Sequence, residues 1–136
     1  MKLLMFHAIS YWYKTANKNS DIAEDISKEE KFENVSIAFI HVEKEDEDKR
    51  STVVRKAVKN ITWHIRKAGA KKIVLHSFAH LSESKTTPEF AKELIEEIKS
   101  RIESKGYSVT TTPFGYFLEF KLHVGGDSID RVFKAI

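Results

Sequence analysis

The segment Lys72–Phe78, Lys-Ile-Val-Leu-His-Ser-Phe, decides the fold because it is a short apolar run with a helical pattern on either side. A run of this kind is typical of a strand that is buried on both faces. An amphipathic helix is predicted before it, because apolar residues recur there at alternating spacings of four and three. Its cap is Ser51 or Thr52, and it runs to about Ala68. Gly69 follows as a left-handed C-cap. A buried strand between helices indicates an α/β fold.

The second helix follows the loop 79–86. Thr87 is placed to cap it, Pro88 suits its first turn, and Lys105-Gly106 ends it. The remaining strands are predicted from apolar or β-branched runs. They are Lys2–Ile9 with an extension through Tyr11–Tyr13, Val35–Glu43, Tyr107–Thr112 and Tyr116–Val124.

The predicted order β-β-α-β-α-β-β-α indicates a mixed β-sheet packed with two long helices and a short C-terminal helix, which Asp127 or Ser128 caps. A chain of 136 residues suffices for one core, so we expect a single domain over residues 1–136. The polar segment 14–34 is expected to be a mobile excursion. The charged run Glu43–Arg50 is expected to be a solvated connection.

Composition excludes several classes of function. The 23 Lys and Arg residues barely exceed the 20 Asp and Glu residues, so charge alone does not identify a nucleic-acid partner. The absence of Cys excludes disulfides and thiol chemistry. The apolar runs are far shorter than the roughly 20 residues that span a bilayer. We therefore expect a soluble, cytoplasmic protein with no membrane partner.

The six histidines do not suggest a metal site, because none lies at a chelating spacing from another. His41 and His76 lie in predicted strands, where a hydrogen-bonded histidine of the core is the more common case. His64 lies off the apolar stripe of its helix and is expected to be solvated. No glycine-rich nucleotide loop is present. We expect neither a metal nor a cofactor.

Two loops, 77–82 and 112–117, begin where predicted strands end and carry aromatic residues. Ligands of α/β proteins bind at such strand ends. The residues alone nevertheless favour two ordinary turns whose aromatic side chains fill the core.

A family resemblance gives these loops a function. Phe78–Ser82 resembles the FAHLS or YAHLS segment in the N-terminal editing domain of archaeal threonyl-tRNA synthetases, and Pro113–Tyr116 is similar to the PFG-aromatic turn of that family. The strand ending at His7 and the strand 38–43 resemble its first two strands, in register over nearly the whole chain. The resemblance implies a D-aminoacyl-tRNA deacylase-like fold. It also implies a proofreading hydrolase that removes serine from seryl-tRNA(Thr), assisted by the 2'-OH of the terminal adenosine.

Site residues follow from the same resemblance. It implies that His80 is the catalytic histidine near the ester and that Val42 and Glu43 bind the adenosine. The implied substrate-binding residues are Ser77, Phe78, Ala79, Phe114, Gly115, Phe117, Leu118, Arg131 and His7.

Four positions depart from the family, and three of them are among these site residues. Leu118 stands where the family usually has lysine, Phe117 where it often has tyrosine, Arg131 where it has glutamate and Ile9 where it has aspartate. The departures at Leu118 and Arg131 favour an alternative, a catalytically weakened module for tRNA acceptor-end binding or dimerisation. A D-aminoacyl-tRNA deacylase is a third interpretation. The implied partners are the tRNA(Thr) acceptor end carrying serine, a second copy in a homodimer, and the catalytic part of threonyl-tRNA synthetase.

Overall fold

The computed structural model describes all 136 residues. Its helices are α1 (Arg50–Ala68) and α2 (Pro88–Glu103), and short 3-10 turns span Lys44–Lys49 and Ser128–Asp130. Its strands are β1 (Lys2–Lys18), β2 (Glu29–His41), β3 (Lys72–Ser77), β4 (Val109–Thr111), β5 (Tyr116–Val124) and β6 (Arg131–Ala135).

One mixed sheet has the order β4-β3-β2-β1-β5, with β6 also paired to β1. The pairs β2-β3 and β3-β4 are parallel, and the three pairs that involve β1 are antiparallel. Helices α1 and α2 connect the parallel strands and pack in one core cluster against the same face of the sheet. The predicted mixed sheet with two long helices is confirmed.

The two faces of the sheet bury different side chains because strand residues alternate between them. The helix-covered face buries aliphatic residues such as Leu3 and Ile40. The opposite face carries an aromatic cluster around Tyr11, Phe32 and Phe39. This aromatic face supplies one wall of the cavity described below.

The segment 14–34 is not the mobile excursion expected from its composition. Strand β1 continues to Lys18 and β2 begins at Glu29, so the two strands form a long antiparallel hairpin. Polar residues are accommodated there because the ladder pairs their backbones and leaves side chains in solvent. Cross-strand contacts add to the pairing, since the Trp12 indole N–H donates to the Glu29 carboxylate at 2.7 Å. Only residues 19–28 form a connection outside the strands.

The predicted C-terminal helix is wrong. A single 3-10 turn, Ser128–Asp130, is followed by β6, which pairs with Lys2–Phe6 of β1. Strand β5 pairs only from Ala8 onward and leaves that part of β1 open. Pairing with β6 satisfies these backbone groups, which a C-terminal helix would leave unpaired.

The expectation for the charged run is wrong at its beginning. Glu43 and Asp46 are buried, because the Met1 amine donates to Glu43 at 2.7 Å and to Asp46 at 2.8 Å. Burial alone would raise the pKa of Glu43, but hydrogen bonds from that amine, Ser82 and Lys2 lower it to about 2. Most of the remaining charged residues are exposed, as expected.

His64 is fully buried rather than solvated. The Ile129 carbonyl is 2.8 Å from Nε2, and the Ser36 hydroxyl is 2.6 Å from Nδ1. A carbonyl only accepts, so Nε2 donates to it and Nδ1 accepts from Ser36. Both ring nitrogens therefore have partners inside the protein, which makes burial of this histidine acceptable.

Candidate active site

A cavity of about 380 Å³ opens where the ends of β2 and β3 meet the start of β5 and the N-terminus of α2. Its walls combine hydroxyl groups, backbone and aromatic rings. The lining residues are Asn19, Ser20, Ile40, Val42, His76–His80, Lys85–Pro88, Ala91, Thr112–Leu118 and Phe120.

The end of β2 fixes the loop that follows β3. The Leu81 N–H donates to Nδ1 of buried His41 at 2.9 Å, so the imidazole proton lies on Nε2, which donates to the Ser84 carbonyl at 2.7 Å. The Ser82 hydroxyl donates to Glu43 at 2.6 Å. These contacts hold the loop with His80 facing the cavity. The prediction that His41 is a hydrogen-bonded core histidine is confirmed.

The turn before β5 forms the opposite wall. Gly115 has φ +85°, and a Cβ at this position would lie 2.6 Å from the Cβ of Ala23. The Asn19 N–H donates to the Gly115 carbonyl at 2.7 Å. The Tyr116 hydroxyl accepts from the Ile26 N–H and donates to the Glu24 carbonyl. The connection between β1 and β2 is therefore tied to this wall. It lies so close to Gly115 that no side chain larger than that of glycine fits there.

Most of the site residues predicted from the sequence line this cavity. They are Ser77, Phe78, Ala79, His80, Phe114, Gly115, Phe117, Leu118 and Val42. Glu43 does not line the cavity. Its carboxylate instead accepts a hydrogen bond from Ser82 and so holds the end of the loop in place.

The structure does not bring His7 and Arg131 to the cavity. The two His7 nitrogens contact Asp130 at 2.9 Å and Asn34 at 2.7 Å. Arg131 follows in β6 and donates to the Gly125 carbonyl at 2.6 Å. His7 pairs with Ser36 of β2, and Arg131 pairs with Phe6 of β1, so both residues lie several positions back along the sheet from Ile40, where β2 reaches the cavity.

Charge within the cavity is sparse. No Asp or Glu lines it, and Lys85, which forms no ion pair, is its one fully charged side chain. His80 is exposed and packs its ring 4.9 Å from that of Phe78. No group of three or more His, Asp or Glu side chains is arranged to hold a metal. Side chains of this cavity therefore offer imidazole and hydroxyl groups, but no carboxylate base.

Sequence reasoning missed several lining residues. Asn19 and Ser20 belong to the segment expected to be a mobile excursion, and Lys85 lies in a polar loop with no distinctive spacing. The prediction that His76 is a core histidine is confirmed by its burial, yet this residue also lines the cavity. Its place immediately before Ser77, at the end of a buried strand, was the available signal.

Comparison with known proteins identifies the family. The family described as the archaea-specific editing domain of threonyl-tRNA synthetase matches residues 1–136. The threonine–tRNA ligases of Methanosphaera stadtmanae and Thermococcus kodakarensis are each 35% identical, and that of Pyrococcus horikoshii is 34% identical. Each match covers 100% of this chain and 22% of the relative. The chain thus spans about a fifth of the length of these ligases.

A solved structure of similar fold is the c-Myc DNA Unwinding Element Binding Protein, with a TM-score of 0.64 and 12% identity. The match covers 100% of this chain and 99% of the other, and the expected D-aminoacyl-tRNA deacylase-like fold is confirmed. None of the helices is long and apolar enough to cross a membrane. On the full-length sequence match, the chain belongs to the archaea-specific editing domain family of threonyl-tRNA synthetase.

Proposed function

We propose that this domain hydrolyses seryl-tRNA(Thr) and thereby removes serine that has been attached in error. The observation that carries the proposal is the cavity between the loops 77–82 and 112–117, the two segments that resemble the editing family. Family membership supports a role in tRNA proofreading. We further propose that the whole range 1–136 acts as one editing domain.

A size limit explains why such a site selects serine. A synthetic site for threonine cannot strongly reject serine, which is smaller by one methyl, so a second and smaller site is needed. Here hydrogen bonds fix both walls, through His41 on one side and through the Gly115 carbonyl on the other. An extra methyl in a well-packed space costs about 1–3 kcal/mol. The expected result is hydrolysis of the seryl ester while the threonyl ester is spared.

The attacking water needs a base, and the cavity supplies no carboxylate. The 2'-OH of the terminal adenosine lies beside a 3'-linked ester, so a site that fixes the ribose recruits this group by proximity. Backbone N–H groups of a rigid loop stabilise developing negative charge without reorganising. We therefore assign His80 an assisting role near the ester, and we place the adenosine beside Val42, with Glu43 supporting this side of the cavity through Ser82.

The proposed substrate is the acceptor end of tRNA(Thr). Lys85 is positioned at the exposed side of the cavity, where a cation would attract the phosphates of the acceptor strand. Because the chain matches only about a fifth of its relatives, we also propose that it works with the catalytic part of the synthetase. A second copy, in a homodimer, is a further proposed partner, and exposed Phe133, which does not line the cavity, is a candidate contact.

One observation favours a second candidate function. Leu118 presents an apolar side chain to the cavity, and it packs against the aromatic cluster of the sheet. A site that lacks a charged donor at this position is also consistent with a module that binds the acceptor end but has lost hydrolytic activity.

The test compares deacylation of seryl-tRNA(Thr) and threonyl-tRNA(Thr) by the purified chain, with buffer as the blank. We expect serine release well above the blank and little threonine release. A seryl substrate whose terminal adenosine is 2'-deoxy should be nearly inert while still binding. Equal rates on the two esters, or binding without hydrolysis, would reject the editing function, and the second result would favour the binding module.

A further inference from the structure

His76 lines the cavity although only 4% of its surface is exposed. Its ring lies among those of Phe39, Phe78 and Phe120, at centroid distances of 4.7, 5.8 and 5.6 Å. The other two basic side chains of the cavity, His80 and Lys85, are exposed. His76 is thus the buried basic group of the cavity, and it lies at its aromatic end.

A single contact fixes the protonation of this imidazole. The Tyr11 hydroxyl lies 3.2 Å from Nδ1 of His76, and it has no other partner. Burial raises the pKa of Tyr11, which keeps its proton, and burial lowers the pKa of His76 to about 4, which leaves the ring neutral. Since Nδ1 is the one acceptor within reach of the buried phenol, Tyr11 donates to it and the imidazole proton lies on Nε2.

The Nε2 hydrogen has no acceptor in the protein. Nε2 is in no hydrogen bond, and the one buried side-chain polar atom without a partner or solvent access is Oγ1 of Thr111. Nε2 of His76 therefore reaches the cavity. A donor surrounded by aromatic rings is costly unless an acceptor meets it. A ligand oxygen that reaches this depth can therefore accept the Nε2 hydrogen in place of water.

We propose that His76 is a specificity-determining residue, which donates its Nε2 hydrogen to the side-chain hydroxyl of the aminoacyl group. This inference rests on the proposed editing function and adds that the site recognises the hydroxyl rather than small size alone. The ester and adenosine enter from the open side, near His80 and Lys85, so the amino-acid side chain is the part that reaches the deep end. Tyr11 acts through His76 as a positioning residue.

The substrate that isolates this contact is alanyl-tRNA(Thr), because alanine is smaller than serine and lacks the hydroxyl. A site of limited size alone would admit both esters. With His76 donating, we expect kcat/KM for the seryl ester to exceed that for the alanyl ester by about 10- to 100-fold, since a buried donor stays unpaired in the second case.

The variant His76→Phe keeps an aromatic ring and removes the donor, and it is made together with Tyr11→Phe so that no buried hydroxyl loses its acceptor. It should lower kcat/KM on the seryl ester far more than on the alanyl ester, so that the preference for serine is lost. His76→Gln keeps an N–H donor and should restore part of the preference. His123→Phe is the matched control, because His123 is exposed and outside the cavity, and it should change neither rate.

Loss of activity on both esters to the same extent in His76→Phe, or on neither, would overturn the inference. A measurement on the unaltered chain is independent of any variant: the ¹⁵N shifts of His76 should report the Nε2–H tautomer and should move when a non-hydrolysable seryl-amide of adenosine binds. Detection of the Nδ1–H tautomer would overturn the proposed donor.

If the unaltered chain hydrolyses neither ester, the proposed function fails, and binding then decides the role of His76. Seryl- and alanyl-amides of adenosine are compared by calorimetry. Tighter binding of the seryl analogue that is lost in His76→Phe upholds the contact, and equal binding of the two analogues overturns it.

Discussion

Replacing Gly115 with alanine tests whether the backbone of the turn sets the size of the cavity. The new Cβ would lie 2.6 Å from the Cβ of Ala23 and 3.2 Å from its Cα, at a φ of +85°. The left-handed conformation costs a non-glycine residue about 1–2 kcal/mol. Overpacking adds about 1–3 kcal/mol. The total loss is about 2–5 kcal/mol, which corresponds to a fall in Tm of roughly 6–25 °C for a domain of this size.

Two other glycines separate the two costs. Gly106 has φ +93°, and a Cβ added there would have no atom within 4 Å, so Gly106→Ala should show the conformational cost alone. Gly126 has neither a positive φ nor a neighbour, so Gly126→Ala should be nearly neutral. Thermal unfolding by circular dichroism gives the ranking, and seryl-tRNA(Thr) deacylation should fall for Gly115→Ala alone. A Tm for Gly115→Ala equal to that of Gly106→Ala would refute the steric argument.

Three further predictions concern His80 on the loop after β3, Leu118 on β5 and Glu43, which supports the loop. His80→Ala should slow seryl-tRNA(Thr) hydrolysis without abolishing it, and complete loss with an unchanged far-UV spectrum would instead make His80 the general base. Leu118→Lys should raise the deacylation rate by adding a charged donor beside the ester, and an unchanged rate in a folded variant would contradict this. Because the folded pKa of Glu43 lies near 2, below its value of about 4.5 in an unfolded chain, its stabilisation holds above about pH 4.5 and declines as pH falls toward 2. The gap between the urea midpoints of the unaltered chain and Glu43→Gln should therefore stay constant from pH 7 to about pH 4.5 and narrow from there to pH 3, and a gap that does not narrow would disprove the linkage.

The regular parts of the fold were predictable from the sequence because local pattern and tertiary packing agree there. The apolar stripe of α1 and the Gly69 cap mark that helix nearly to the residue, and the Thr87-Pro88 start of α2 holds as well. The Thr87 hydroxyl accepts from the Phe90 N–H, as the cap predicts. In these helices the apolar residues whose spacing predicts the helix are the same residues that pack into the core.

The errors occur where distant partners determine the structure. Strand β6 forms because it pairs with residues at the other end of the chain, and a local pattern does not contain that information. His64 is polar and off the apolar stripe, but Ser36 and Ile129 meet its nitrogens in the folded state. Asp46 is buried for the same reason, through the Met1 amine. Each case is a group whose partner lies far away along the chain.

The candidate site was predictable where the motif residues fix the backbone of the loop and of the turn. The motif residues Leu81 and Ser82 do not line the cavity, yet their contacts with His41 and Glu43 hold the loop that does. Gly115 likewise contributes a conformation and a carbonyl rather than a side chain. His76 and Lys85 escaped prediction because their importance depends on which walls meet, and loop spacing does not encode that.

These contacts explain how the cavity can keep its shape although Leu118 differs from the residue that the family resemblance implies. Position 118 lies on β5, whose pairing with β1 is set by backbone hydrogen bonds, so its side chain can change without moving the walls. The loop 77–84 is held from β2, through His41 and Glu43, and that support is independent of β5. A lysine at 118, as the family resemblance implies, would therefore add one charge to the cavity and leave its shape intact. If a fixed backbone and the substrate's own 2'-OH provide the chemistry, the shape of the cavity sets substrate choice and a charge at 118 only adjusts the rate, so the substitution should affect rate more than substrate choice.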